Sequence, residues 1–348
     1  MPTGNLSLGW FVVVSVIKVL IAVPILLGIV AYTVWLERKL VGHIQNRWGP
    51  SRVGPFGLLQ PIADGLKFIF KEDLTPPYVN KPLYLLAPIL SLTLALTSIA
   101  VIPVGGWITI RGARIPLQIT DVNVSLLIIL GITSMGVYGI ALAGWSSNSK
   151  YSLLGSLRAS AQMVSYEVAL GLSLIGVLIL SGTFSLRGIV ERQLGGIWHW
   201  NIFGGGFQFV AFFIYLCAAF AETNRVPFDL PEAETELVAG YHTEYSSMKF
   251  AMFFMAEYAN MVTVACLASI LFLGGWQGPV FGPPVLQALL PVFWFFLRVL
   301  FFLFLYIWIR GTLPRFRYDQ LMAFSWRFLL PLAIANVIIT SLVVALRS

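Results

Sequence analysis

The chain has 348 residues, 58% of them hydrophobic and 11% charged, with a mean hydropathy of +0.85. Soluble domains carry roughly 45–50% apolar residues, so an ordinary water-soluble enzyme is excluded. The net charge of +7 has no soluble domain to act through, which removes a nucleic-acid reading and leaves membrane topology as its purpose.

A helical bilayer span takes about 20 predominantly apolar residues. Eight runs qualify, at approximately 11–36, 83–103, 122–143, 154–181, 207–223, 248–274, 285–309 and 327–346. They are continuous rather than alternating, which excludes a β-barrel. The first run has no basic residue before it and Glu37-Arg38-Lys39 after it, unlike a cleavable signal peptide. Lys18 and Arg298 lie inside runs. Of the other basic residues, fifteen fall on the Arg38 side and five opposite. The positive-inside rule then puts both termini outside and the loops at about 37–82, 144–153, 224–247 and 310–326 in the cytoplasm or matrix. The expected fold is an all-α integral membrane protein, a single membrane domain over 1–348. It has eight transmembrane helices, one interfacial amphipathic helix and no internal repeat.

The long loop after the first run carries Gly49-Pro50 and Gly54-Pro55 turns, with Arg47 and Arg52 on a stiff, irregular backbone. Around Pro61, residues Leu59, Ile62, Leu66, Ile69 and Phe70 follow helical spacing, with Asp64, Lys67 and Lys71 on the other side. That pattern describes a helix lying in the membrane interface. It serves either as a surface anchor or as one wall of a cleft open to a lipid-like molecule.

Charges inside the runs come next. Lys18, Glu167, Glu257 and Arg298 each cost about 2.5–3.5 kcal/mol or more to insert, and such residues usually face a bundle interior or a hydrated path. Glu257 has Asn260 on its face, and Glu167 has Ser160 and Gly171. Two readings stand: cross-helix ion pairs of either acid with Lys18 or Arg298, or a proton-accessible chain of acids.

The stretch AETNRVPFDLPEAETELVAGYHTEY (221–245) is the densest acidic segment. Glu222, Asp229, Glu232, Glu234, Glu236 and Glu244 cluster there around Arg225. Asp229 to Glu232 has the form of a capping box, placing Glu232 and Glu236 on one helix face and Glu234 on another. Interleaved Val226, Phe228, Leu237 and Tyr241 argue for partial burial over a solvated loop. Carboxylates crowded at low dielectric titrate as a coupled set and can hold and release protons.

Cys217 and Cys266 stand singly, and His43, His199 and His242 fall outside the runs. Haem needs axial ligands and iron–sulfur clusters need grouped cysteines, so no redox cofactor of its own is expected on this chain.

Two long segments, ERKLVGHIQNRWGPSRVGPFGLLQPIADGLKFIFKED (37–73) and the acidic stretch 221–245, are similar in order and side to the signature segments of the H subunit of respiratory complex I. That complex is the proton-pumping NADH–quinone oxidoreductase. Ser51 stands where the family often has asparagine, a change both side chains tolerate in such a turn.

The resemblance implies a quinone-chamber subunit. Glu37, Arg38, Arg47, Arg52, Gln60 and Asp64, with Arg225, Asp229 and Glu244, would form the chamber and arm interface. Glu222, Glu232, Glu234, Glu236, Glu167 and Glu257 would couple protons. Quinone would be the substrate, with flavin and iron–sulfur clusters in partner subunits. The implied partners are the peripheral-arm iron–sulfur and quinone-site subunits, small membrane subunits, antiporter-like subunits and membrane lipid. A bacterial plasma membrane is expected ahead of a mitochondrial inner membrane. Competing readings are the equivalent subunit of a membrane-bound hydrogenase or ferredoxin-driven dehydrogenase, a stand-alone proton-coupled transporter, and a structural anchor.

Overall fold

In the computed structural model, residues 8–110, 113–229 and 238–347 are described. Glu232, Glu234 and Glu236, and the capping box that would open their helix, lie outside those residues.

The first apolar run forms α1 (Leu8–Ile44), which continues well past the expected boundary at 36. Glu37 to Val41 are mostly good helix formers, so hydropathy marked the end of the apolar stretch but not of the helix. The sequence expectation of a loop from 37 is therefore corrected, and Glu37 and Arg38 are helical. The chain then folds back through Gly49-Pro50, where Lys39 Nζ donates to Pro50 O at 2.9 Å and to Phe56 O at 3.1 Å. Gly57 closes this turn at φ 78°, where a side chain would strike the Pro50 carbonyl.

Helix α2 (Gln60–Phe70) is tied to α1 by Asp64, which pairs with Arg38 at 2.6 Å, and turns Pro61, Gly65 and Phe68 toward a crevice between them. Ile62, Leu66, Ile69 and Phe70 point away from the protein, each about half exposed or more. An apolar stripe turned outward on a helix of 11 residues, about 16 Å long, suits the interfacial placement and is too short to span. Its far end is tied down, because Ser247 Oγ donates to Phe68 O at 2.8 Å and to Lys71 O at 2.9 Å.

Helices α3 (Lys81–Ser98), α4 (Ser125–Ser146), α5 (Lys150–Ser181), α6 (Leu186–Arg192) and α7 (Gln208–Glu222) follow. Next come α8 (Ser247–Phe272), α9 (Pro284–Thr312), α10 (Tyr318–Phe324) and α11 (Leu330–Arg347). Seven segments among the described residues are long and apolar enough to cross a membrane, the last running from Tyr318 to Arg347 through a π-helical turn at Ser325–Leu329. The remaining expected span is α7, whose 15 residues rise about 22 Å against a hydrocarbon core of about 30 Å. A 3₁₀ stretch, Asn201–Gly206, precedes it. The expected loop at 310–326 shrinks in the same way as the first, since α9 runs to Thr312 and α10 begins at Tyr318.

The loop after α3 holds a two-stranded antiparallel hairpin, β1 (Trp107–Ile110) with β2 (Ala113–Pro116), where only a connector was expected.

Lipid tails are as apolar as the side chains, so helices associate in membranes through close packing of small residues. Ala87 and Ser91 make such a face on α3 against Gly139 of α4, and farther along α3 the Ser98 hydroxyl meets Thr263 of α8 at 2.9 Å. Gly155 of α5 approaches the Gly240–His242 turn so closely that a Cβ would stand 2.7 Å from Gly240 Cα. That contact seats the end of the acidic loop on the bundle. Helix α8 lies at the centre, with 67% of its span buried, whereas α1 is peripheral at 6%.

Candidate functional site

The site is built where α1, α8 and α9 meet the segment that leaves α7. Glu37 sits on α1, buried at 8% exposure, and accepts from Tyr258 Oη at 2.7 Å. It also pairs with Arg310 at the end of α9, and Arg225 Nη1 stands 3.8 Å away. Arg225, 6% exposed, turns its Nε to Glu257 Oε1 at 2.7 Å and lies 4.1 Å over the Tyr258 ring. Two carboxylates and two guanidiniums thus alternate in one chain, Arg310–Glu37–Arg225–Glu257, which runs from the 38% exposed Arg310 side chain to the buried Arg225–Glu257 pair. The opposite charges offset the cost of burial that each alone would carry.

Glu257 opens onto a cavity of about 40 Å³ that it shares with Glu222, Asn260, Thr223 and Asn224. A space of this size and polarity can hold water. Glu222, at the end of α7, lies within electrostatic reach of Thr133 on α4 and of Glu167. Ser134, the next residue on α4, donates to Glu167. Two neighbouring residues of one helix are therefore set beside two carboxylates. The acids follow one another from the loop-one surface to the bundle interior: Glu37, Glu257, Glu222, Glu167.

The backbone that positions them is pinned by Gln162 of α5. Its Nε2 donates to Ala221 O at 2.8 Å and Phe228 O at 2.7 Å, with Asn224 Oδ1 at 3.3 Å. Asn224 turns the chain at φ 51°, so Arg225 points back into the bundle. Farther along, Asp229 pairs with Arg315 at 2.9 Å. Glu244 lies apart from the acid chain, accepting from Tyr78 Oη at 2.8 Å.

The first-signature residues form a separate, shallower group. Arg38 pairs with Asp64 at 2.6 Å, and Gln60 donates to Asp64 at 3.1 Å. Arg38, Arg47, Arg52 and Gln60 line an open cleft of about 600 Å³. Beneath it, Leu27, Val34, Phe68, Met248 and Phe254 line a largely apolar crevice of about 230 Å³ between α1, α2 and α8.

The pairing considered for Glu167 or Glu257 with Lys18 or Arg298 is replaced. Lys18 Nζ donates to Gln118 O at 2.9 Å, and Arg298 donates to the Gly275 and Gln277 carbonyls. Both belong to the opposite end of the bundle, and Arg225 takes the place expected of them beside Glu257.

Comparison with known proteins decides the family. The NADH dehydrogenase family matches residues 17–341. A Koribacter versatilis protein, named as an H subunit of NADH-quinone oxidoreductase, is 73% identical over 98% of this chain and 99% of its own length. A Solibacter usitatus protein of the same name is 51% identical over 96% of this chain and 98% of its own, and one from Geobacter sulfurreducens is 53% identical over 96% and 95%. The chain belongs to the H-subunit family of NADH–quinone oxidoreductases.

In this member of the H-subunit family, several residues of the site escaped the sequence reading. Arg310 looked topogenic, and Tyr258, Thr133 and Ser134 looked like ordinary span residues. A signal was available for Tyr258, which follows Glu257 directly in an otherwise apolar run.

His242 supplies a pH-dependent handle on the acidic loop. Burial among Tyr241, Phe250 and Phe253 pushes its imidazole down to about 3. In the unfolded segment it would titrate near about 6.5. Below that pH the unfolded loop binds a proton that the folded loop refuses, so stability falls as pH drops from about 6.5 toward 3. The hydrogen-exchange protection of residues 240–247, taken relative to the intrinsic exchange rate at each pH, should fall on acidification through this window. Replacing His242 with phenylalanine should flatten that component.

Proposed function

We propose that the chain is the membrane subunit of a proton-translocating NADH–quinone oxidoreductase. It builds the quinone chamber together with peripheral-arm subunits and couples quinone reduction to proton movement through its buried carboxylates. The observation that carries this reading is the continuity of the acids, from Glu37 near the loop-one cleft through Glu257 and the shared cavity to Glu222 and Glu167.

The apolar crevice between α1, α2 and α8 suits entry of a lipid-soluble quinone from the bilayer. The arginine-lined cleft above it suits an acidic face of a peripheral-arm subunit. Electrons are supplied by flavin and iron–sulfur centres in partner subunits. Quinol formation takes up two protons and places transient negative charge near the acids of the 221–245 stretch, which raises their proton affinity. Arg225 then divides its charge differently between Glu37 and Glu257, and Glu222 exchanges a proton across the hydrated cavity. Glu167 passes the change toward neighbouring antiporter-like subunits. The names of the relatives favour this reading over a hydrogenase subunit or a stand-alone transporter.

The test uses two acids of the 221–245 stretch. Glu232→Gln with Glu236→Gln should cripple quinone-linked turnover while the complex still assembles. Undiminished turnover in an assembled complex would sink the coupling role of this loop.

A further inference from the structure

Helix α8 turns one stripe, Phe253, Ala256, Glu257 and Asn260, toward the cavity of about 40 Å³ that Glu222 also lines. Their spacing is that of a single helix face. At about 10–15 Å³ for each water, the cavity has room for about three. An enclosed space of this size fills only where its wall offers polar partners, and an apolar one stays dry.

Most of the polar wall is already committed. Glu257 Oε1 is taken by Arg225 Nε at 2.7 Å. Asn224 Oδ1 accepts from Gln162 Nε2 at 3.3 Å, and the Thr223 hydroxyl donates to Ala219 O at 3.0 Å. The Ser91 hydroxyl packs so tightly on Gly139 that a Cβ there would stand 2.1 Å from it, and it is sealed from water. Asn260 differs. It is partly open, it stands on the cavity wall one turn from Glu257, and its amide makes no hydrogen bond with any described residue.

An amide inside a membrane bundle is costly to leave without partners. Its two donor hydrogens and its carbonyl oxygen can be met here by the cavity waters. A water that donates to Asn260 Oδ1 keeps a second hydrogen and its lone pairs for the neighbouring carboxylates. We propose, on the proton-coupling reading of these acids, that Asn260 is a positioning residue which holds the waters bridging Glu257 and Glu222. A proton leaving one carboxyl joins the nearest water oxygen as another leaves the chain for the second carboxylate, and the waters end neutral. The amide does not titrate, so it orients this relay without trapping the proton as a third acid would.

Two variants separate hydration from packing. Asn260→Leu keeps the volume and removes the polarity, whereas Asn260→Ala trades the amide for space that water fills. The intact complex carrying each, with Glu222→Gln alongside, would be reconstituted in sealed vesicles and assayed for quinone-linked turnover in light and heavy water. The leucine variant should turn over about tenfold slower, the effect of one hydrogen bond lost from the relay. Its solvent isotope effect should exceed that of the wild type. The alanine variant should fall between the two. A packing role predicts the reverse order, since alanine leaves a void and leucine does not. Leucine at the wild-type rate, or alanine slower than leucine, would overturn the proposal. In the first case a slowed Glu222→Gln leaves the acid path standing, and an unslowed one removes the path as well.

Discussion

Glu222→Gln is expected to slow quinone-linked turnover of the assembled enzyme by about 10²-fold, the lower end of what a positioned proton-transfer group contributes. Glu222 ends α7 and faces Glu257 across the small cavity, and no ion pair holds it among the described residues. Glutamine keeps the shape but carries no exchangeable carboxyl proton. Assembly should therefore survive while coupling fails. Glu222→Asp, which restores a carboxyl group on a shorter arm, should recover part of the rate. Turnover and proton uptake by the two variants, measured in sealed vesicles, check this. A glutamine variant that pumps at the wild-type ratio would remove Glu222 from the path.

The second large effect is on stability. Arg225→Met should cost about 3–5 kcal/mol, because it leaves a buried carboxylate without its charge partner. Glu257 loses its 2.7 Å contact outright, whereas Glu37 keeps Arg310 and Tyr258. Adding Glu257→Gln to Arg225→Met should then restore much of the loss, since the orphaned charge is gone. The steady-state amount of assembled complex and its thermal denaturation midpoint both report this. A double variant no better than the single one would mean that the Arg225–Tyr258 stacking, rather than charge, dominates. The contrast is the Arg38–Asp64 pair, whose arginine side chain is 48% exposed. Screening by solvent should keep Asp64→Asn within about 1 kcal/mol.

Much of the architecture was legible without coordinates. Continuous apolar runs, the outward stripe of α2 and the crowding of acids after α7 are local properties, read from composition and period within one segment. Helix ends were less legible. Residues 37–44 and 318–324 are polar enough to leave the apolar runs yet good enough helix formers to stay helical. The hairpin at 107–116 was hidden in a loop segment that hydropathy treats as a connector.

The sequence by itself determined that this chain is a helical membrane protein with an acidic loop and no local partner for its buried charges. Which charge meets which was decided by the tertiary structure alone. Glu37 and Tyr258 stand 221 positions apart in the chain and 2.7 Å apart in the fold. Lys18 and Arg298 looked equally available to Glu257, yet they lie at the other end of the bundle, and the turn at Asn224 delivers Arg225 instead. The physical reason is that hydrophobic burial is additive along a segment. An ion pair instead depends on the depth and rotation of separate helices, which only their packing against one another sets.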